Sequence, residues 1–415
     1  MLDYKLLDKI SKEVGNSFYI LNESNYLKNI TDLKNAFLKF HDKIIIGYSY
    51  KTNYIPKLCR LAKENGVYAE VVSDMELDLA FKLGYKPEKI IFNGPLKKEK
   101  DLEKVLLGNG IVNIDSFHEV NLLKKIVTRN AEAKISVGLR INMSLIDENG
   151  NSTIQEGLKY GRFGFEDSDE NLGKAIEIIR GLGVTINALH GHTSSSDRSL
   201  KNFGSIAKTL CRVRNKYNLN DIAYFNVGGG FFGPMPKGLL NRKTPAFEEY
   251  ADTIFSVFND DEWFANNKPY IILEPGVSVV SNALSYFAKV MDIKKIRSKN
   301  FLLIEGGIYN VKPTMHRLNL PFKVFSKSIK NTSLKFDVVG STCMEKDVVL
   351  SEVEISGVSV SDYISIENVG AYTVVKTPEF INYIPAIVSI EKNEISIVRY
   401  KQNLSNVLQQ YNLNA

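Results

Sequence analysis

Eight short β-branched runs alternate with amphipathic stretches through the first two thirds of this chain, and that alternation constrains its fold more than any other feature. The runs are Ile44–Ser49, Val67–Ser73, Lys89–Asn93, Ile111–Ser116, Lys134–Ile141, Ile186–His192, Tyr224–Gly230 and Tyr270–Gly276, most of them ending in Gly, Ser or Asn. Between them, segments such as IPKLCRLAKENG, MELDLAFKLG and FHEVNLLKKIV space apolar residues three and four apart, which places them on one helix face. Near-continuous apolar strands separated by helices make a parallel sheet covered by helices, and eight βα units favour a closed barrel over an open sheet. After about Val290 the texture changes to clustered short strands, including NFLLIEGG, LKFDVVG, VVLSEVEISGV and AIVSIEKNEISIVRY. This reads as a separate β domain.

A chain of 415 residues exceeds what one hydrophobic core usually organises, in keeping with two domains. The expected boundaries are residues 25–285 for the (β/α)8 barrel, with 1–24 and 286–415 forming the β domain. No apolar run is long enough to span a bilayer, and the opening MLDYKLLDKISKEVGNSF resembles neither a secretory signal nor a transit peptide, so a cytoplasmic protein without membrane contact is expected. Lys and Arg number 53 against 47 Asp and Glu, and the excess is spread along the chain rather than gathered into a nucleic-acid footprint. The densest cluster, KKEK at Lys97 to Lys100, reads as a solvated helix face. Cys59, Cys211 and Cys343 are too few and too far apart for a disulfide framework or a zinc site, and His41, His118 and His316 lack metal-ligand spacing. No metal is expected.

In a βα barrel, polar residues at the carboxyl ends of the strands face one shared mouth. Here those ends supply Lys51, Ser73, Glu76, Asn93, Asp115, Arg140, His192, the Gly228–Gly230 run and Glu274. A lysine, a histidine, a triple glycine and a carboxylate on one rim make a candidate site. Nine segments then carry a more specific signal: YSYKTN (Tyr48–Asn53), AEVVSDMEL (Ala69–Leu77), NIDS (Asn113–Ser116), RFGF (Arg162–Phe165), HGHTSS (His190–Ser195), NVGGGF (Asn226–Phe231), EPG (Glu274–Gly276), GSTCMEKDV (Gly340–Val348) and VGAY (Val369–Tyr372). In order and spacing the chain resembles the pyridoxal-phosphate-dependent decarboxylases built on an alanine-racemase-like barrel, which include diaminopimelate and ornithine decarboxylases.

The resemblance implies pyridoxal 5′-phosphate as cofactor and a role for each matching residue. Lys51 would form the Schiff base, which requires a partly desolvated amine because only the neutral amine is nucleophilic. Glu274 would pair with the pyridine nitrogen and favour decarboxylation over racemisation. Gly228, Gly229 and Gly230 would cradle the phosphate with their N–H groups, with Ser195, Gly276 and Tyr372 as further cofactor contacts and His192 stacked on the ring. His190 would position the site or fill barrel space. Cys343 would return a proton to the α-carbon, acting across the interface of a homodimer with shared active sites.

Several positions depart from the family. Val277 replaces the usual arginine after EPG, and Met344 replaces the acid that follows the cysteine. The residues expected near a substrate's distal end are Lys312, His316, Met344 and Asp347, with a structural role open for Asp347. These differences argue against diaminopimelate and ornithine. The stretch VMDIKKIRSKNFLLIEGGIYN, the HGHTSSS form and the TCMEKDV form look closer to the siderophore and antibiotic biosynthetic branch, whose substrates are conjugated or carrier-bound amino acids. Two alternatives stay open, an amino acid racemase or epimerase and a non-catalytic relative like the antizyme inhibitor.

Overall fold

The computed structural model describes residues 2–146, 150–154, 158–193, 198–236, 239–240, 242–327, 333–392 and 394–412. It separates into two units: Leu27–Gly233 with Lys243–Val279, and Met1–Tyr26 with Pro234–Arg242 and Val280–Ala415.

The first unit is a closed parallel barrel of eight strands. They are β1 (Ile44–Ser49), β2 (Tyr68–Val71), β3 (Ile90–Phe92), β4 (Ile111–Ile114), β5 (Ser136–Asn142), β6 (Thr185–Gly191), β7 (Tyr224–Asn226) and β8 (Tyr270–Leu273). The sheet closes where β8 pairs with β1, Ile271 lying opposite Ile44 and Ile272 opposite Ile45. A two-residue strand, Phe165–Glu166, pairs with β5 from outside the ring and has no counterpart among the expected strands. Ile45, Ile91, Ile111 and Ile272 form a buried apolar cluster, against which Tyr68 and Tyr224 pack. β-branched side chains suit such a layer because they fill a pleated interior with little loss of rotamer freedom.

The KKEK reading needs correction at its first residue. Lys98 and Lys100 are exposed, but Lys97 is fully buried. The helix here begins only at Glu99, so Lys97 belongs to the turn before it and reaches inward beneath the ends of β3 and β4. Its Nζ donates to the carbonyls of Gly94 (2.8 Å) and Asn113 (2.9 Å) and to both oxygens of the buried Glu119 (3.0 and 2.9 Å). The ammonium spends its three protons locally, which is what permits its burial.

The second unit is a mixed β sheet in the strand order Val348–Ser356, Ser333–Val339, Lys299–Ile304, Leu284–Ile296, Ser17–Leu21, Ala386–Glu391 and Glu394–Arg399. Strand Tyr363–Ile366 pairs with Leu284–Ile296 on one side and Phe322–Phe325 on the other. The N-terminal helix Tyr4–Val14, capped by the Asp3 carboxylate on Leu6 N–H at 2.8 Å, turns Leu7, Ile10 and Val14 toward Phe18, Ile20, Phe287 and Val388. Three residues at that spacing form one apolar stripe, which is why so short a helix holds. Among the described residues no helix is long and apolar enough to cross a membrane.

Candidate active site

Each of the eight barrel strands delivers a polar side chain to the mouth, and a connected hydrogen-bond network joins most of them. Lys51 lies in a single 3-10 turn directly after β1, its side chain about one third exposed, with Nζ 2.6 Å from Glu70 Oε2. The same oxygen accepts from Ser49 Oγ at 2.5 Å. Glu70 Oε1 accepts from Asn93 Nδ2 at 3.0 Å, and that nitrogen also donates to Glu274 Oε1 at 2.7 Å. Asn226 Nδ2 donates to Glu274 Oε1 at 2.6 Å, while His190 Nε2 sits 3.2 Å from its other oxygen. Arg140 crosses the site with Nη1 at 3.3 Å from His190 Nδ1, the nitrogen left to accept when Nε2–H donates to Glu274, and Nη2 donates to the His192 carbonyl.

The charges follow from these contacts. Burial opposes a charged Glu274, but His190, the Lys51 ammonium and the Asn226 hydrogen bond outweigh it and hold the carboxyl well below the usual carboxylate range. Burial, followed by the Arg140 charge, lowers His190, so a neutral imidazole donating to an ionised Glu274 satisfies both residues. His192 is pushed well below its ordinary value by burial and by the nearby Arg140 and Lys51 charges. Glu76 goes the other way: burial and the neighbouring Glu70 raise it to about 7, against one Val72 N–H bond.

The residues present fit a phosphorylated, ring-bearing cofactor held by a lysine. Gly228 and Gly230 adopt left-handed φ of 71° and 98°, and a Cβ on Gly230 would meet nothing within 4 Å, so backbone there faces open space. A Cβ on Gly229 would come within 2.1 Å of the Glu274 carbonyl, so the run can cross that strand end only as glycine. Gly276 packs as tightly, with its would-be Cβ 2.0 Å from Thr52 Oγ1 beside Lys51. Gly229 N–H donates to His192 Nδ1 at 3.1 Å, which fixes that ring against the glycine run. Among the described residues, Arg140 Nε, Asn113 Oδ1 and Thr193 Oγ1 are buried without a hydrogen-bond partner. Ser195 lies outside the described residues.

The remaining expected residues belong to the second unit. Cys343 is exposed on the loop between strands Ser333–Val339 and Val348–Ser356, whereas Cys59 and Cys211 are buried. Asp347 is buried and anchors that loop: one oxygen accepts from Ile308 N–H (2.6 Å), the other from Thr342 N–H (3.1 Å) and Thr342 Oγ1 (2.6 Å). Its carboxylate is therefore held by two backbone N–H groups and the Thr342 hydroxyl. Met344 Sδ lies 3.7 Å from the Tyr309 hydroxyl. Tyr372 adopts φ 55° with the Lys376 ammonium 5.0 Å from its ring centre. Lys312 is buried and reaches the Leu318 carbonyl at 3.4 Å, and His316 is exposed.

Reading the strand ends missed Glu70, Asn113 and Asn226 as members of the mouth. Asn113 and Asn226 each stand two residues before a named position, Asp115 and Gly228, and Glu70 lies one strand turn short of Ser73. Side chains two apart on a strand share a face, so stepping back by one pleat would have found the buried pair of amides. Ser73 serves as a helix cap, accepting from Glu76 N–H at 3.2 Å.

Comparison with known proteins follows the same outline. Residues 27–281 match the family model described as "Pyridoxal-dependent decarboxylase, pyridoxal binding domain". The diaminopimelate decarboxylase of Aquifex aeolicus is 25% identical, over 97% of this chain and 93% of its own length. Among solved structures, the diaminopimelate decarboxylase of M. jannaschii in co-complex with L-lysine superposes with a TM-score of 0.86 at 24% identity, covering 97% of this chain and 93% of that one. The Helicobacter pylori enzyme complexed with L-lysine gives 0.82 at 23%, covering 97% and 98%. At such identities the structures speak for the fold. These relatives are diaminopimelate decarboxylases, which does not support the expected siderophore or antibiotic branch.

Proposed function

The chain belongs to the pyridoxal-dependent decarboxylases, whose pyridoxal-binding domain spans residues 27–281, and from that premise we propose that it removes one α-carboxylate from diaminopimelate. Pyridoxal 5′-phosphate is its cofactor and carboxy-lyase chemistry its class. The observation that carries the cofactor chemistry is the pairing of Lys51 with Glu70 in the same buried network that holds Glu274 ionised, and the substrate rests on the relatives. Bound there, the cofactor supplies an electron sink for the pair left at the α-carbon when the bond to the carboxylate breaks.

The chain's own residues supply the rest. Lys51 Nζ is the attachment point, and Glu70 takes up the ammonium's charge until the amine gives up its proton. Glu274, kept anionic by His190, Asn226 and Asn93, would face the cofactor's ring nitrogen. With Gly228 N–H given to Asn226 Oδ1 and Gly229 N–H to His192 Nδ1, the expected cradle reduces to the Gly230 backbone, which with Ser195 and Tyr372 would hold the phosphate, and His192 would lie along the ring. Cys343 Sγ donates the proton that replaces CO₂ at the α-carbon, and it does so in the site of a second copy of the chain.

Support for diaminopimelate comes from the relatives, while Met344 and Val277 stand where the family carries charged residues. The discriminating experiment supplies the holoenzyme with meso-diaminopimelate, ornithine, arginine and lysine and measures CO₂. Release from diaminopimelate with lysine as product is expected, and Lys51→Ala should abolish it together with the visible band of lysine-bound cofactor at about 420 nm. Release from another amino acid alone would overturn the substrate reading and leave the class intact.

A further inference from the structure

Asn93 is one amide nitrogen serving two buried carboxylates. It donates to Glu70 Oε1 at 3.0 Å and to Glu274 Oε1 at 2.7 Å, and its own Oδ1 accepts from Asn113 Nδ2 at 2.8 Å. That orientation is forced: two carboxylates can be bridged only by a donor, and an –NH₂ group has two protons to give. Asn113 is itself held, because its carbonyl accepts from the buried Lys97 and its side chain abuts Gly138, where a Cβ would come within 2.1 Å of Oδ1. The amide is thus aimed from behind by β4 and spends itself entirely on β2 and the end of β8.

The arrangement is unusual in what it joins. Glu70 takes the Lys51 ammonium, and Glu274 is the acid proposed to face the cofactor's ring nitrogen. Like charges brought this close in a buried site repel unless something between them donates. With Asn93 removed, Glu70 Oε1 loses its recorded donor and Glu274 Oε1 keeps one of two. Among the described residues, the other charged or titratable groups that act on the pair are Lys51 after β1, Glu76 on helix Asp74–Lys82, Arg140 on β5, His190 on β6 and His192 beyond it. None of them bridges both carboxylates.

We infer that Asn93 is a positioning residue that holds Glu70 and Glu274 side by side and thereby couples the charge on Lys51 to the charge on Glu274. This rests on the roles given above to Lys51 and Glu274. Its signature is a pH effect. Without the amide, a proton takes the donor's place between the carboxylates, and the form with both ionised appears only at higher pH.

The test compares the holoenzyme with Asn93→Leu, of similar size and without donors, and Asn93→Asp, of the same shape. For Asn93→Leu, kcat should fall on the order of ten-fold or more, the loss of a charge-assisted hydrogen bond, with little change in KM. The acid limb of the kcat/KM profile should move up by about one pH unit or more, and the absorbance of the lysine-bound cofactor should titrate with the same displacement. In Asn93→Asp the acid can bridge only while protonated, so activity should decline with rising pH where the parent's does not. Should Asn93→Leu fail to fold, Asn93→Asp decides. A folded variant with the parent's pH profile and spectrum overturns the inference. A parent protein that never develops the lysine-bound band would instead overturn the reading on which it rests.

Discussion

Burial alone drives a carboxyl group toward its neutral form, and what becomes of each acid at the barrel mouth depends on its neighbours. Glu274 has His190, Lys51 and two amides and stays charged; Glu76 has one backbone N–H and a repelling Glu70, and is raised from 4.5 to about 7. The consequence for stability has a definite sign. Below both values the group is protonated in the folded and unfolded chain and contributes no penalty. As pH rises from 4.5 toward about 7, the unfolded chain releases its proton while the folded one retains it, so stability falls and the penalty is complete above about 7. Glu76→Gln keeps an oxygen for the Val72 N–H and removes that penalty. The variant should therefore unfold less readily than the parent at about pH 8, by at most about 3 kcal/mol, and show no gain at about pH 4. An equal gain at both pH values in urea melts would mean that Glu76 does not titrate in this range. The sequence showed Glu76 as a polar strand-end residue, but its ionisation depends first on burial and then on Glu70, and that burial is set by the helix Asp74–Lys82 that carries it.

At the scale of elements, the eight strands were legible because a barrel strand is buried on both faces and reads as an apolar run, whatever its partners are. Lys97 was not, since a lysine in KKEK looks like its neighbours until the helix start at Glu99 leaves it in the preceding turn. Its pair with Glu119 ties the ends of β3 and β4 to helix Phe117–Arg129, and Glu119 also accepts from Asp115 N–H at 2.8 Å. Burial lowers Lys97 and raises Glu119, so each depends on the other to remain charged. Lys97→Met should then cost about 3–5 kcal/mol, because it strands a buried carboxylate, while Lys97→Met with Glu119→Leu should cost much less. Trp263, the chain's single tryptophan, lies in the barrel unit and reports that transition by fluorescence. Equal losses in the single and double variants would show that the site depends on packing around Lys97 rather than on its charge.

For the whole molecule the two halves of the proposed chemistry fall in different units of the chain. Lys51 belongs to the barrel, and Cys343 is exposed on a loop of the β-sheet unit that Asp347 anchors to Ile308 and Thr342. An anchored loop carrying an exposed thiol is suited to serve a site on another molecule, and two-fold pairing of identical chains makes such an exchange reciprocal. Mixing Lys51→Ala with Cys343→Ala discriminates between the possibilities. If each site draws Lys51 from one chain and Cys343 from its partner, a mixed dimer contains one intact site and one doubly damaged one. Free exchange of equal amounts then restores about a quarter of the parent's sites, since about half the dimers are mixed. If both residues act within one chain, every chain carries a lesion and nothing returns. Measuring CO₂ release after differently tagged subunits have been shown by co-purification to exchange separates these outcomes, and exchange without recovery would confine Cys343 to its own chain or remove it from the reaction.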